Sequence, residues 1–326
     1  MEGTVYRFRP TVSALVLLLT ACQGERRFSP QGFIDIDAAV RLHYRIIGTG
    51  PDTVVIPAGM YLAEELTPLR TGRTLIFYDM RGRGRSARLL DGSKLGLDRE
   101  IDDLEAVRRH FRISHMDLIG FSYLGAMVVL YAAEHPERVG RIIQMGAMPP
   151  RSSAPYMQRP PPGMLIDTAK ISRLREMESS GALASDPAGY CEAYWDAYLV
   201  MYVGDAAAAD SVAMPCNLRN EWPQNFSVTL QHIMDKLPDW DWRSRVSAVE
   251  APTLTMHGDA DRIAPLGGGR EWAATLRDAR LLVFPGVGHL IFAESRTAFL
   301  DAADQFLSGQ WPSGTRVVKA DDQALP

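Results

Sequence analysis

The chain has 326 residues, 46% of them hydrophobic and 23% charged, with a formal net charge of −4. This is the composition of a globular protein with one large domain or two small ones, and it excludes disordered and fibrous chains. A small acidic excess lacks the basic footprint of a nucleic-acid binder. Three cysteines, Cys22, Cys191 and Cys216, are too few for a disulfide framework. They form no CxxC pair and no Cys/His cluster at ligand spacing, so no metal is expected.

At the amino terminus Arg7 and Arg9 precede a short apolar run from Val12 to Leu19, interrupted only by Ser13. The run falls short of the ~20 residues a membrane-crossing helix needs, and it fits the apolar region of a secretory signal. Leu19-Thr20-Ala21-Cys22 follows it directly and resembles a bacterial lipoprotein signal. That resemblance implies removal of residues 1–21 and lipidation of Cys22. An ordinary cleaved signal or an unprocessed apolar amino terminus is the alternative. The expected location is therefore the cell envelope on its periplasmic side, held through a lipid anchor on Cys22, or periplasmic or secreted without the lipid. In such an oxidising space Cys191 and Cys216 could pair, which the sequence leaves open.

After a polar tether over 22–32, short apolar runs alternate with helical patterns. FIDID, VRLHYRIIG, TVVIPAG, TLIFYDM, MDLIG and RIIQMGA read as strands. LDREIDDLEAVRRHF reads as a helix, with acidic residues early, basic ones late and Ile101, Leu104, Val107 and Phe111 on one face. LGAMVVLYAAEH reads as a second, strongly apolar helix. Such alternation predicts an α/β fold with a mostly parallel central sheet and helices on both faces. A proline-rich stretch over 148–164 opens a helical, aromatic-rich insertion that ends near 246. The α/β pattern then resumes with APTLTMHG, a helix near 268–277, RLLVFPG and a helix near 294–308. The expected organisation is a core over 33–147 and 247–310, a helical cap over 148–246 inserted after the sixth strand, and a flexible tail over 311–326. RGRGRS, which tempts as a phosphate cradle, lacks the G-x-G-x-x-G spacing and reads as a turn. Gly267-Gly268-Gly269 lacks the Lys-Ser/Thr of a phosphate loop.

The most informative segment is Gly120-Phe121-Ser122-Tyr123-Leu124-Gly125, at the end of a buried strand and the start of a helix. A serine at such a turn is exposed at the top of the sheet, and small neighbours let strand and helix approach. The usual G-x-S-x-G pattern would place glycine at 124, where this chain has Leu124. Serine needs a base, and the base an orienting carboxylate. In chain order these are Asp261, favoured over Asp259, after the strand TLTMHG, and His289 after LLVFPGVG. Each lies beyond the carboxyl end of a strand, where open α/β sheets place their sites.

YDMRGRGRS, IGFSYLGAMVVLYAAEHPERV, PTLTMHGDADRIAP and FPGVGHLIFAE occur in the order found in α/β-hydrolase fold proteins, which the chain resembles over about residues 33–310. Within that family it most resembles the proline iminopeptidase-like group, peptidase family S33, whose cap YCEAYWDAYLVMY and CNLRNEWPQN resemble. The resemblance implies Ser122 as nucleophile, His289 as general base and Asp261 as its partner. It implies an oxyanion hole from the N–H groups of Tyr123 and Gly59, with Met60 as the neighbouring possibility. Pro57-Ala58-Gly59 stands where iminopeptidases carry His-Gly-Gly-Pro-Gly. Cap carboxylates hold the substrate amine in that group. Glu176, Glu178, Glu192 and Glu221 are candidates here, though ordinary solvated helix faces explain most of them.

The expected function is that of a cofactor-independent serine hydrolase cleaving an ester or amide through an acyl-enzyme. The resemblance leans toward an N-terminal aminoacyl peptide as substrate. A carboxylesterase or lactonase on the same triad is the alternative. A non-catalytic binding protein on the same scaffold is an alternative of another class.

Overall fold

A computed structural model of the chain describes residues 1, 28–89, 91–154, 167–218, 223–237 and 239–319. Cys22, the signal segment and most of the tether lie outside the described residues. Among the described residues no helix is long and apolar enough to cross a membrane.

Strands β1 (Gln31–Asp35), β2 (Arg41–Ile47), β3 (Asp52–Pro57), β4 (Arg73–Tyr78), β5 (Met116–Phe121), β6 (Val139–Met145), β7 (Thr253–Gly258) and β8 (Ala279–Phe284) form one eight-stranded sheet. Their order is β1-β2-β4-β3-β5-β6-β7-β8. The β1–β2 and β2–β4 pairs are antiparallel, and every pair from β4 through β8 is parallel. Val54, Val55, Ile56, Leu118, Ile119, Ile142, Ile143 and Leu254 are fully buried. Continuous apolar runs are what a parallel sheet covered on both faces requires, since neither face meets water. This is the α/β-hydrolase architecture expected above.

Helices α1 (Gly59–Leu66), α2 (Leu97–Phe111) and α3 (Tyr123–Glu134) follow β3, β4 and β5. The cap between β6 and β7 contains α4 (Thr168–Ser179), α5 (Ala182–Ser185), α6 (Pro187–Tyr198), α7 (Pro223–Met234) and α8 (Arg243–Val246). Helices α9 (Leu266–Thr275), α10 (Ile291–Glu294) and α11 (Arg296–Leu307) complete the core. Two aspartates set helix starts in the cap: Asp167 accepts from Ala169 N–H and Asp186 from Gly189 N–H. Leu174, Tyr190 and Ala197 make a small cluster between α4 and α6, apart from the main core, which Trp195, Leu199 and Val203 join. Cys191 and Cys216 are disulfide-bonded, with Cα atoms 5.6 Å apart. The bond closes the cap segment that carries Leu199–Gly204.

RGRGRS is a turn, as expected. Gly82 and Gly84 take positive φ values of 70° and 53°, and Asp79 accepts from the Arg85 N–H at 2.8 Å. Arg81 forks onto buried Asp103 of α2, with Nε–Oδ2 at 2.7 Å and a second nitrogen to Oδ1 at 2.6 Å. Two boundaries differ from expectation. The tether ends early, because Gln31 already pairs in β1 and Phe28 packs edge-on against Phe111 at 4.9 Å. Residues 311–319 are not a loose tail. Arg316 exchanges both backbone hydrogen bonds with Leu281 of β8, Trp311 lies under the Arg280 guanidinium, and Val318 is buried. Polar composition hid this, because backbone pairing to an edge strand needs no apolar side chains.

Candidate active site

The carboxyl ends of β3, β5, β6, β7 and β8 share one edge of the sheet. Ser122 follows β5 with φ 56° and ψ −127°, a positive-φ conformation outside the populated wells that costs an L-residue about 1–3 kcal/mol. Three backbone hydrogen bonds impose it. Ser122 N–H donates to Met145 O at 2.9 Å, and Ser122 O accepts from Gly125 N–H at 2.9 Å and Met148 N–H at 3.0 Å. A β-carbon on Gly120 would collide with the Leu124 carbonyl, and one on Gly125 would sit 2.9 Å from the Ala147 methyl. The close approach of α3 to the β6 end therefore falls at 125. Leu124 is buried in the core instead, so its departure from the usual pattern leaves the turn intact.

Asp261 and His289 meet in the interior. Asp261 Oδ2 lies 2.8 Å from His289 Nδ1, while Oδ1 accepts from the Ile263 and Ala264 N–H groups, each at 2.8 Å. Burial alone would raise the Asp261 carboxyl. The adjacent imidazole, the second imidazole of His257 and the backbone donors outweigh it, and the net shift is downward. Asp259, the other carboxylate weighed from sequence, points elsewhere: it is exposed and accepts from Gly286 N–H at 2.7 Å. His289 packs on Phe121, the residue before Ser122, with ring centroids 4.7 Å apart. Among the described residues no hydrogen bond reaches the Ser122 hydroxyl, and the contact that joins the serine turn to the imidazole is the Phe121 ring. Loose serine–base contacts are common before substrate binds.

The loop before His289 is pinned rather than free. His289 N–H donates to Tyr202 O at 2.7 Å, and Glu294 takes the N–H groups of Gly288 at 2.9 Å and Gly204 at 2.7 Å. Arg262 donates to Val203 O at 2.7 Å. A β-carbon on Gly288 would collide with the Val203–Gly204 backbone, so its glycine serves close approach of the cap, not mobility.

At the end of β3, Ala58 is left-handed with φ 64° and α1 begins at Gly59. Register places Val55 opposite Leu118, so the starts of α1 and α3 are neighbours. The N–H groups of Gly59, Met60 and Tyr123 belong to first helical turns, whose donors have no partner within the helix. Pro57 lacks an N–H, but it ends the strand two residues before Gly59 and removes none of these donors.

Several residues escaped the sequence reading. Gly146, after β6, has φ 50°, and a β-carbon there would sit 3.0 Å from His289 Nδ1 and 3.3 Å from Asp261 Oδ2. Buried His257 donates from Nε2 to Ala264 O at 2.6 Å and lies 3.5 Å from Asp261 Oδ2. Burial lowers its pKa, against the opposing pull of Asp261 and of its bond to Ala264. Gly146 directly follows β6 and His257 is the penultimate residue of β7, which was the available signal. Glu294 and Tyr202 carried none, because their partners are backbone groups far along the chain.

The family pattern described as alpha/beta hydrolase fold matches residues 46–295, and the chain belongs to that family. It is an enzyme of the α/β-hydrolase class. It is similar to a non-heme haloperoxidase from Rhodococcus erythropolis, 28% identical over 226 residues, covering 68% of this chain and 77% of that one. It is also 24% identical to the 2-hydroxy-6-oxononadienedioate/2-hydroxy-6-oxononatrienedioate hydrolase of Escherichia coli, covering 88% and 98%. Among solved structures, the esterase EaEST from Exiguobacterium antarcticum superposes with TM-score 0.61 at 20% identity, covering 85% and 98%, a likeness of fold. These names are not those of iminopeptidases, so membership stands at the level of the family rather than its iminopeptidase-like branch.

Proposed function

We propose that the chain is a serine hydrolase cleaving an ester or amide of a small molecule through a covalent acyl-enzyme. The observation that carries this reading is the buried 2.8 Å pair of Asp261 and His289, whose imidazole packs on Phe121, the residue before a serine held at positive φ. In this reading Ser122 Oγ attacks the carbonyl carbon as His289 takes its proton. Asp261 holds the Nδ1–H tautomer and stabilises the imidazolium that forms. The N–H groups of Tyr123 and Gly59, at the starts of α3 and α1, stabilise the tetrahedral oxyanion. His289 then protonates the leaving group, and water repeats the sequence on the acyl-enzyme. No cofactor or metal enters any step.

An ester is the favoured substrate. The iminopeptidase-like alternative needs cap carboxylates for a free amine. Glu176, Glu178 and Glu192 are exposed, Glu178 also accepts from Tyr190 Oη, and Glu221 lies outside the described residues. A fluorophosphonate probe should label wild type and not Ser122→Ala. A nitrophenyl ester should turn over faster than a proline-naphthylamide. Equal labelling of both proteins removes the nucleophile assignment, and faster cleavage of the naphthylamide selects the aminopeptidase branch.

The Cys191–Cys216 disulfide supports placement in an oxidising compartment, since such bonds persist there and are rare in the cytosol. We infer export, with Cys22 as the lipidated residue of the cell-envelope form. Palmitate incorporation in a bacterial host should be lost in Cys22→Ser; equal incorporation rejects the anchor.

A further inference from the structure

Behind the nucleophile turn lies a buried polar group that the mechanism does not use. Tyr123, the residue after Ser122, donates its hydroxyl to Glu100 Oε2 of α2 at 2.9 Å. Glu100 is 1% exposed. Its other oxygen, Oε1, and the buried hydroxyl of Tyr78 on β4 have no hydrogen-bond partner among the described residues. The charged and titratable groups facing the carboxyl are Tyr123 from α3, Asp103 from its own helix, Arg83 and Arg81 from the turn after β4, and Tyr78. A buried carboxyl with one oxygen unmatched costs stability, and a phenylalanine at 123 with an apolar residue at 100 would fill the same space more cheaply. Packing alone therefore does not account for the pair. What the pair does fix is the rotamer of Tyr123, and with it the first turn of α3, whose leading N–H belongs to that same residue.

We propose that Glu100 is a positioning residue for hydrolysis, anchoring Tyr123 so that its N–H is held toward the oxyanion. This rests on the serine-hydrolase reading above. Burial, ahead of the opposing Tyr123 hydrogen bond, raises the Glu100 carboxyl to about 7. Above that pH the ionised carboxylate accepts a charge-assisted bond from Tyr123, and below it the acid holds the phenol more weakly. Anchoring thus strengthens as pH rises.

The test uses full-length wild type, Glu100→Gln, Glu100→Ala, Tyr123→Phe and the Glu100→Ala/Tyr123→Phe double variant. Ester kinetics are followed between about pH 6 and about pH 8, with melting temperature and fluorophosphonate labelling measured on each protein. Glu100→Ala and Tyr123→Phe should each lower kcat about ten- to a hundredfold with KM within about twofold. The double variant should lose no more than either single one. Glu100→Gln keeps an acceptor for the phenol and should recover kcat to within about threefold, yet lose a three- to tenfold rise that wild type shows near pH 7, about the gain of a charged acceptor. Glu100→Gln and Tyr123→Phe are near-isosteric and keep the test open if Glu100→Ala does not fold. Superimposable pH profiles for wild type and Glu100→Gln, or additive losses in the double variant, overturn the proposal. Wild type that fails to label at Ser122 overturns the hydrolase reading itself. Normal labelling with indifferent Glu100 variants overturns only the positioning role.

Discussion

Exchange of Ser122 for alanine is expected to lower kcat on a nitrophenyl ester by about 10⁶-fold. Alanine keeps the β-carbon and can hold the same positive-φ backbone, so the turn held by Met145, Gly125 and Met148 should survive. In the serine-hydrolase reading, loss of the hydroxyl removes the atom that forms the acyl-enzyme, whereas the N–H donors at the starts of α1 and α3 remain. A residual rate about 10³–10⁴-fold above that in water should therefore persist. Mass spectrometry after mixing with substrate should show an acyl adduct on wild type and none on the variant. A variant that turns over at the wild-type rate would place the chemistry elsewhere on the chain.

Asp261→Asn should cost about 10⁴-fold in kcat with little change in KM. The amide can still accept from the Ile263 and Ala264 N–H groups, so the loop should hold. Facing His289 Nδ1 it presents a donor where the carboxylate presented an acceptor. The imidazole must then carry its proton on Nε2 and cannot serve as base toward Ser122. The same carboxyl links folding to pH. Its pKa lies below the ordinary carboxylate range despite burial, because His289, His257 and the backbone donors favour the charged form. Its stabilising contribution is therefore present above the unfolded value of about 3.9 and is lost as pH falls through the lower folded value. Urea midpoints should fall on acidification in wild type and fall less in Asp261→Asn. An Asn variant within about tenfold of wild-type kcat, far short of the loss expected when the tautomer is wrong, would remove Asp261 from the mechanism.

The pinned His289 loop explains why the cap matters to the core. Glu294, Arg262 and Tyr202 O tie residues 202–204 to the segment carrying His289. Burial raises the Glu294 carboxyl, while its two backbone donors oppose the rise. The disulfide closes the cap loop on either side of this strap. Cap and imidazole are thus one mechanical unit.

Periodicity made much of this molecule legible. Apolar runs of strand length can be buried on both faces only in a covered parallel sheet, so the α/β order, the cap after the sixth strand and the strand-end positions of Ser122, Asp261 and His289 follow from local pattern. Glu100 shows where that reasoning ends. On the helix pattern it reads as an acidic residue complementing the first turn of α2, yet the fold turns it inward against Tyr123. Asp103, Gly146, His257 and Glu294 are alike in this respect. Their roles depend on partners that chain distance does not reveal, and only the packing of strand ends and the cap decides which polar groups leave water and what they meet there.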